Sequence, residues 1–391
     1  MALRRVAVTG IGVISPCGLG AEAFFEGLCG QAPEGERRVH DFDPSGYFDK
    51  PKDARRSDRY SQFALAAAEM ALEQSGEIDA DPVRKGVFIG TGIGGINTLE
   101  DQIIVRSEKG ERRVSPFLVP MMMPNAAAAS VSMRHGWQGP CENTVTACAA
   151  GTHAIGNAAN LIRYGRCDAV LAGGAEASFT PTAMAGFSNM TAFSSSGMSR
   201  PFDVRRDGFM MAEGAAVLVL EEWDAAEARG VTILGEILGS ASTADAHHIT
   251  APAPGGVGAI SCMNLALDDA GLKASDITHI NAHGTSTPKN DAAEAGAINK
   301  LFGQPGPLVT STKGVTGHAL GAAGALEAAA VLLAMQHKLV PPTAGYGEPD
   351  PELEPINLVF GEPAPWEPGP SLSNSFGFGG HNGTLVLGPA K

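Results

Sequence analysis

Apolar residues along this chain fall into two kinds of run. Short β-type runs at Val6–Thr9, Val87–Ile89, Ala169–Ala172, Ala216–Leu220, Ile277–Ala282, Leu308–Thr310, Ile356–Phe360 and Thr384–Leu387 predict strands. Longer segments at Ser61–Gln74, Gly151–Tyr164, Ala259–Ala270 and Gly321–Met335 predict helices between them. Such alternation argues an α/β class with largely buried sheets. Gln31–Asp58, rich in Gly, Pro and charge, and Gly345–Pro355 read as loops. The polar stretch Glu222–Val231 reads as a join between two halves.

Composition adds limits. The chain has 391 residues, 44% hydrophobic and 18% charged, with 50 glycines. That suits a well-buried core and close backbone packing. No run of about 18 apolar residues is present, which argues against a membrane span. The first residues, MALRRVAVTGIG, pass straight into a strand and do not resemble a secretion signal. A cytoplasmic location is the resulting expectation. The 6 cysteines are scattered without a CxxC pair, so neither a disulfide framework nor a zinc site is indicated. A net charge of −14 argues against nucleic-acid binding. An acidic protein partner stays possible through a local basic patch.

The glycines of Gly90-Thr-Gly92-Ile-Gly94-Gly95 follow a strand and fit a dinucleotide fingerprint. That function needs a second strand ending in an acid about 20 residues on. Glu111 stands at that distance, but in the loop-like SEKGERRVSP. The earlier Gly10-Ile-Gly12 has Ser15 at the third position and fails.

Asn143-Thr-Val-Thr-Ala-Cys148-Ala-Ala-Gly ends a β-type run on a cysteine and opens a small-residue helix. A thiol at a helix start meets N–H groups and a dipole that favour the thiolate, and those N–H groups suit an oxyanion. A buried structural cysteine would look the same. Two further motifs add weight. Ile280-Asn-Ala-His283-Gly-Thr285-Ser-Thr287-Pro places His283 after a strand among hydroxyls. Ser311-Thr-Lys313-Gly-Val-Thr-Gly-His318-Ala-Leu-Gly-Ala-Ala-Gly-Ala-Leu-Glu327 places His318 before a second Gly/Ala helix. Three reactive side chains at element ends are free to converge, as covalent catalysis requires. A Lys313–Glu327 ion pair would orient the His318 loop. Asn374-Ser-Phe376-Gly-Phe378-Gly-Gly suggests a mobile loop carrying an aromatic gate.

With these motifs the chain resembles the elongating β-ketoacyl-acyl-carrier-protein synthases. It is also similar to the ketosynthase subunits of type II polyketide systems. The resemblance spans nearly the whole length, from VTGIG to NSFGFGGHNG, with TACAAG, NAHGTSTP and STKGVTGHALGAAG in order between them. It implies a thiolase-type fold, in which two similar halves form a layered α-β-α-β-α structure with mixed sheets. Residues 1–230 would carry the nucleophile, and residues 231–391 the two histidines and the Gly/Phe loop. A dimer is implied, with the strand near Cys141–Thr146 pairing with its twin.

The resemblance also implies roles. Cys148 would take an acyl group from an acyl carrier protein, and His283 and His318 would stabilise the enolate left when malonyl-carrier loses CO2. The backbone N–H groups of Cys148 and Phe378 would hold the oxyanion. Thr285 and Thr287 match positions that bind the phosphopantetheine arm, Ile93 and Phe187 match the acyl pocket, and Phe376 and Phe378 match the gate. Lys313 is implied among the catalytic residues, and Glu327 among those that bind substrate. No metal or cofactor of its own is implied, since the pantetheine arrives on the carrier. Arg55, Arg56 and Arg59, with Arg112 and Arg113, are candidates for carrier docking.

The chain departs from the pattern in a short Gln31–His40 stretch, in Lys289 and in His381. A thiolase would need a second cysteine near the C-terminal loop, and an initiating synthase an Asn in place of one His. A non-catalytic partner subunit, like a chain-length factor, would have lost Cys148. Acyl chain length, fatty-acid against polyketide pathway, and homodimer against heterodimer stay open.

Overall fold

The computed structural model describes residues 3–391. The leader expectation rested partly on Met1 and Ala2, which lie outside these residues; from Val6 the chain is strand.

Strands with two apolar faces need cover on both sides. Here Val8, Ile11 and Val13 share one packed layer with Ala216, Leu218 and Leu220, while Ala215, Val217 and Val219 pack in another. These residues belong to the first set of strands: β1 (Val6–Ser15), β2 (Lys85–Gly90), β3 (Cys141–Thr144), β4 (Ala169–Glu176) and β5 (Gly214–Glu222). The second set is β6 (Gly235–Ala244), β7 (His279–Asn281), β8 (Leu308–Thr310), β9 (Ser371–Gly377) and β10 (His381–Gly388). The order across the sheet is β3-β2-β4-β5-β1-β6-β10-β9-β7-β8.

That order repeats itself. In the first set β2 lies parallel to β3 and β4, β5 is antiparallel to β4, and β1 is antiparallel to β5. In the second set β7 lies parallel to β8 and β9, β10 is antiparallel to β9, and β6 is antiparallel to β10. The same topology occurs twice. Among the described residues, the two sets of strands pair with each other at Ala7↔Glu236 and Val8↔Gly235, between β1 and β6.

Helices complete the layers. α1 (Arg59–Ser75) covers the outer face of the first sheet through Phe63, Ala64, Ala67 and Ala71. α2 (Ile96–Lys109) lies beyond β2 at the surface. α3 (Ala150–Arg163) packs in the central layer with Leu218, Ile237 and Leu385, which come from both sheets. α4 (Val257–Ala270) and α5 (Pro288–Phe302) cover the outer face of the second sheet. α6 (Ala323–His337) joins α3 in the middle and is buried from Ala323 to Met335. The α-β-α-β-α expectation holds.

One predicted strand needs correction, and two strands are added. Ile356–Phe360 is no strand: Pro355 and Gly361 confine it to a single bridge, Val309↔Leu358. β6 and β9 escaped notice because GEILGSASTA and SLSNSFG carry polar or small residues where a buried strand is expected to be apolar. Glu222–Val231 runs from the end of β5 toward the start of β6, between the two sets of strands, and it is ordered. Trp223–Ala228 forms a helix whose Trp223 is buried, with the Arg5 guanidinium 3.5 Å above its ring. Leu320–His337, interrupted by Glu327, Gln336 and His337, is still long and apolar enough to cross a membrane by length and composition, and 89% of it is buried. It is α6 with the turn before it.

Candidate active site

The chain turns sharply from β3 into α3. Ala147 has φ +49°, a left-handed conformation that costs a residue with Cβ about 1 kcal/mol. A short 3₁₀ turn, Ala147–Ala149, then presents Cys148 at the start of α3. Its Sγ lies 3.0 Å from His318 Nε2. One ring nitrogen of His283 completes the group, and the three heteroatoms lie within 4.8 Å of one another. The two imidazoles meet edge to face, centroids 5.4 Å apart. All three side chains are buried.

The Gly/Phe loop reaches the same point. A Cβ on Gly377 would stand 3.0 Å from the Cys148 nitrogen, so a side chain there would crowd the helix start against which the end of β9 lies. The N–H groups of Phe378 and Cys148 both approach Sγ. Burial pushes the Cys148 thiol up to about 11. The Phe378 N–H and the Lys313 charge pull it down, while the Glu176 carboxylate pushes it up. Burial, and then the Lys313 charge, hold His283 and His318 well below the ordinary imidazole range. Both rings are therefore neutral near pH 7 and can donate N–H hydrogen bonds. A thiol and two imidazoles would also suit a soft cation. The pair of N–H groups at Sγ serves an anion, however, and favours a thiolate and oxyanion site.

Buried carboxylates fix the frame. Glu294 on α5 accepts from the His283 and Gly284 N–H groups, both at 2.8 Å, and so pins the strand end that carries His283. Glu176 accepts from Gly92 N–H at 2.6 Å and Gly321 N–H at 3.1 Å. It ties the Gly90–Gly95 loop to the turn after His318. A Cβ on Gly321 would stand 2.0 Å from the Gly92 nitrogen. The glycine-rich motif therefore permits close packing beside the nucleophile. Glu111 lies in a 3₁₀ turn, not at the end of a second strand. Lys313 and Glu327 form a buried ion pair, 1% and 2% exposed.

Burial pushes the Glu294 carboxyl up to about 7 from an ordinary 4.5, against the pull of its two N–H donors. The folded state thus holds a proton that the unfolded chain releases. This contribution to stability is complete below about pH 4.5 and is lost as pH rises through about 7. Glu294→Gln should narrow the difference in urea stability between about pH 5 and pH 8. It also leaves one N–H facing an amide instead of a carboxylate oxygen, a loss of roughly 1–3 kcal/mol. A difference as large as in the wild type would contradict the assignment.

A cavity of about 640 Å³ opens onto the cluster. Cys148, His283 and His318 line it, together with Thr285, Thr287, Phe187, Phe376 and Phe378. The Thr285 and Thr287 hydroxyls are 2.8 Å apart. Ile93 is set back, packed with Phe187 against Phe179, Phe209, Met211 and Leu320. Lys313 and Glu327 do not line the cavity. That corrects the substrate-binding expectation for Glu327 and makes Lys313 a group that acts through its charge.

The basic candidates divide. Arg112 and Arg113 are exposed in the turn after α2, and Arg55 and Arg56 are exposed before α1. Arg56 lies 4.3 Å over the Phe117 ring, which brings the two stretches side by side. Arg59 is committed elsewhere. It grips Glu213 with two nitrogens, at 2.8 and 3.0 Å, and the Val39 carbonyl at 2.6 Å, so it leaves the docking set.

Some residues were missed. His153 accepts from the Thr146 hydroxyl at 2.8 Å and donates to the Asn382 carbonyl at 3.0 Å, joining the nucleophile turn to β10. Its place one turn after Cys148 was the available signal. Asp245 accepts from Asn382 at 2.8 Å and from Ala253 N–H at 2.9 Å, which holds a strap over the Gly/Phe loop. Nothing local in the sequence marks Asp245, Glu176 or Glu294.

Residues 32–226 match the N-terminal domain of β-ketoacyl synthases and residues 234–347 their C-terminal domain. The chain is 44% identical to the 3-oxoacyl-[acyl-carrier-protein] synthase 2 of Synechocystis sp., over 98% of each chain. Among solved structures it is similar to the ishigamide ketosynthase/chain length factor, with a TM-score of 0.94 and 33% identity over 100% of each chain. A second, with a TM-score of 0.91 and 32% identity over 100% of each chain, is a type II polyketide ketosynthase in complex with its acyl-carrier protein and bound to the hexaketide.

Proposed function

From the membership of this chain in the β-ketoacyl synthase family, we propose that its cavity performs a decarboxylative Claisen condensation between an acyl-carrier thioester and malonyl-carrier, lengthening the acyl chain by two carbons. The observation that carries this reading is the Cys148–His318 contact at 3.0 Å, with a His283 nitrogen in the same 4.8 Å group. Fatty-acid elongation is the favoured setting, as in the 3-oxoacyl-[acyl-carrier-protein] synthase 2 of Synechocystis sp..

In the first half-reaction Cys148 Sγ attacks the acyl thioester. The His318 N–H steadies the thiolate, the S–H proton ends on the departing carrier thiol, and the Sγ–acyl bond replaces the carrier's. In the second, malonyl-carrier releases CO2, and the bonding pair moves into the thioester to give an enolate. Neutral His283 and His318 donate to the enolate oxygen. The enolate carbon attacks the Cys148 thioester while the N–H groups of Cys148 and Phe378 hold the oxyanion. Collapse expels the Cys148 thiolate, which regains a proton from water.

His283 has no hydrogen bond to Sγ, so its role separates from acylation. His283→Ala should lower malonyl-carrier decarboxylation by about 10²- to 10³-fold, roughly 3–4 kcal/mol, while Cys148 is still acylated. Equal loss of both steps would mean that His283 only supports the fold.

The phosphopantetheine arm would run past Thr285 and Thr287 and would be the only cofactor, brought by the carrier. Arg112 and Arg113, with Arg55 and Arg56, would receive the acidic carrier. Ile93 and Phe187 would bound the acyl chain, and Phe376 and Phe378 would gate it. This reading places the nucleophile in residues 1–230 and the histidines in residues 231–391, in a cytoplasmic homodimer. A second reading rests on the overlay with the ishigamide ketosynthase/chain length factor. In it the chain serves a type II polyketide or polyene pathway and pairs with a chain-length-factor-like subunit.

A further inference from the structure

Among the residues that line the catalytic cavity there is one lysine and no arginine: Lys289. It follows His283, Thr285 and Thr287 at every second position, and all four line the cavity. Their exposure rises in that order. His283 and Thr285 are buried, Thr287 is half-buried and Lys289 is exposed. One segment thus carries an imidazole at the floor, two hydroxyls on the wall and an ammonium at the rim.

No carboxylate lies within ion-pair distance of that ammonium among the described residues. The two carboxylates that line the cavity are engaged elsewhere. Asp207 accepts from the Ser194 and Ser195 hydroxyls at 2.6 and 2.7 Å, and Asp245 from Asn382 and Ala253. Lys289 also borders the neighbouring groove, where Lys300 stands on the same face of α5 beside Ala292, Ala293 and Gly296. The one carboxylate in that groove is Glu354. The rim is therefore a site of positive charge in a protein of net charge −14.

We propose that Lys289 binds the phosphate of the phosphopantetheine arm and so sets how deeply the arm enters. The inference rests on the function proposed above. A thioester held at Cys148 puts the amides of the arm beside the Thr285 and Thr287 hydroxyls. Its phosphate, the group farthest from sulfur, then falls at the rim. A lysine there is a compact charge with three donors for a phosphate oxygen. Lys289 is a positioning residue, so its effect belongs in KM.

The test compares three acyl donors: acyl-carrier protein, carrier-free acyl-phosphopantetheine, and acyl-pantetheine without phosphate. Each is measured with wild type, Lys289→Ala and Lys289→Arg. Lys289→Ala should raise KM about tenfold for the two phosphorylated donors and leave acyl-pantetheine within about twofold. Lys289→Arg should restore most of the loss, and kcat should stay within about twofold throughout. Equal changes with and without phosphate, or no change, overturn the proposal. So does a change confined to the carrier-borne donor, which would place Lys289 against the carrier's own side chains. A wild-type protein that accepts no acyl group from any donor overturns the function beneath it and the phosphate site together.

Discussion

Cys148→Ala should lower the condensation rate by at least ~10⁴-fold, about 5.5 kcal/mol of barrier, and leave the protein folded. Cys148 is the one thiol lining the cavity. Without it the acyl group has no covalent station, and the enolate must find a thioester that no element positions. The two N–H groups that held the oxyanion lose their reacting carbon. Folding should survive because the side chain borders an existing cavity, so its loss creates little new void. A melting temperature within a few degrees of wild type, with condensation followed by product mass, checks both halves. A variant that still condenses at a tenth of the wild-type rate would remove the covalent intermediate from the account.

The second large effect concerns stability. Lys313→Met should cost about 3–5 kcal/mol, because it leaves the Glu327 carboxylate buried without its cation. Burial already pushes Glu327 up to about 7, and the Lys313 charge is what opposes this shift. One carboxylate oxygen, Oε2, has no other partner. The double variant Lys313→Met/Glu327→Leu should recover most of the loss, since an apolar pair of similar volume replaces a buried ion pair at little net cost. Activity should not recover with stability. The ammonium also lowers the His283, His318 and Cys148 proton affinities, so the double variant should titrate its active-site imidazoles at higher pH. Urea unfolding measures the first effect, and imidazole resonances followed against pH measure the second. A double variant as unstable as the single one would show that the pair is not the source of the cost.

The strands that the sequence marks well are those whose both faces meet apolar layers. Leu308–Thr310 has the predicted limits, and Ala169 and Ala216 begin or sit within strands that run on to Glu176 and Glu222. β9 was invisible for a physical reason. Ser371, Ser373, Asn374 and Ser375 are all buried, and three of them meet polar groups of other residues: Ser371 donates to the Gly369 carbonyl at 3.1 Å, Ser375 bonds Thr152 at 2.8 Å and Asn374 accepts from Thr384 at 2.9 Å. A strand solvated by its own neighbours has no hydrophobic signature. The doubled 3-2-4-5-1 order is equally hidden, because it lies in pairing and not in residue identity.

The chemistry was more legible than its support. Cys148, His283 and His318 each end an element, and that placement shows in the sequence as a change of periodicity. Glu176 and Glu294 act across 145 and 11 residues, on Gly321 and His283. Nothing about a lone glutamate says that its carboxylate will be fully buried against backbone N–H groups. Arg59 shows the converse error: a basic residue beside two exposed arginines reads as part of their patch, until Glu213 is seen to hold it.

The central claim is that Cys148 carries the acyl group. Its most direct test is the intact mass of the protein after incubation with a panel of acyl-carrier donors, with Cys148→Ala alongside. The account predicts a gain equal to one acyl group in the wild type and none in the variant. An equal gain in both, or no gain in the wild type with any donor, would contradict it.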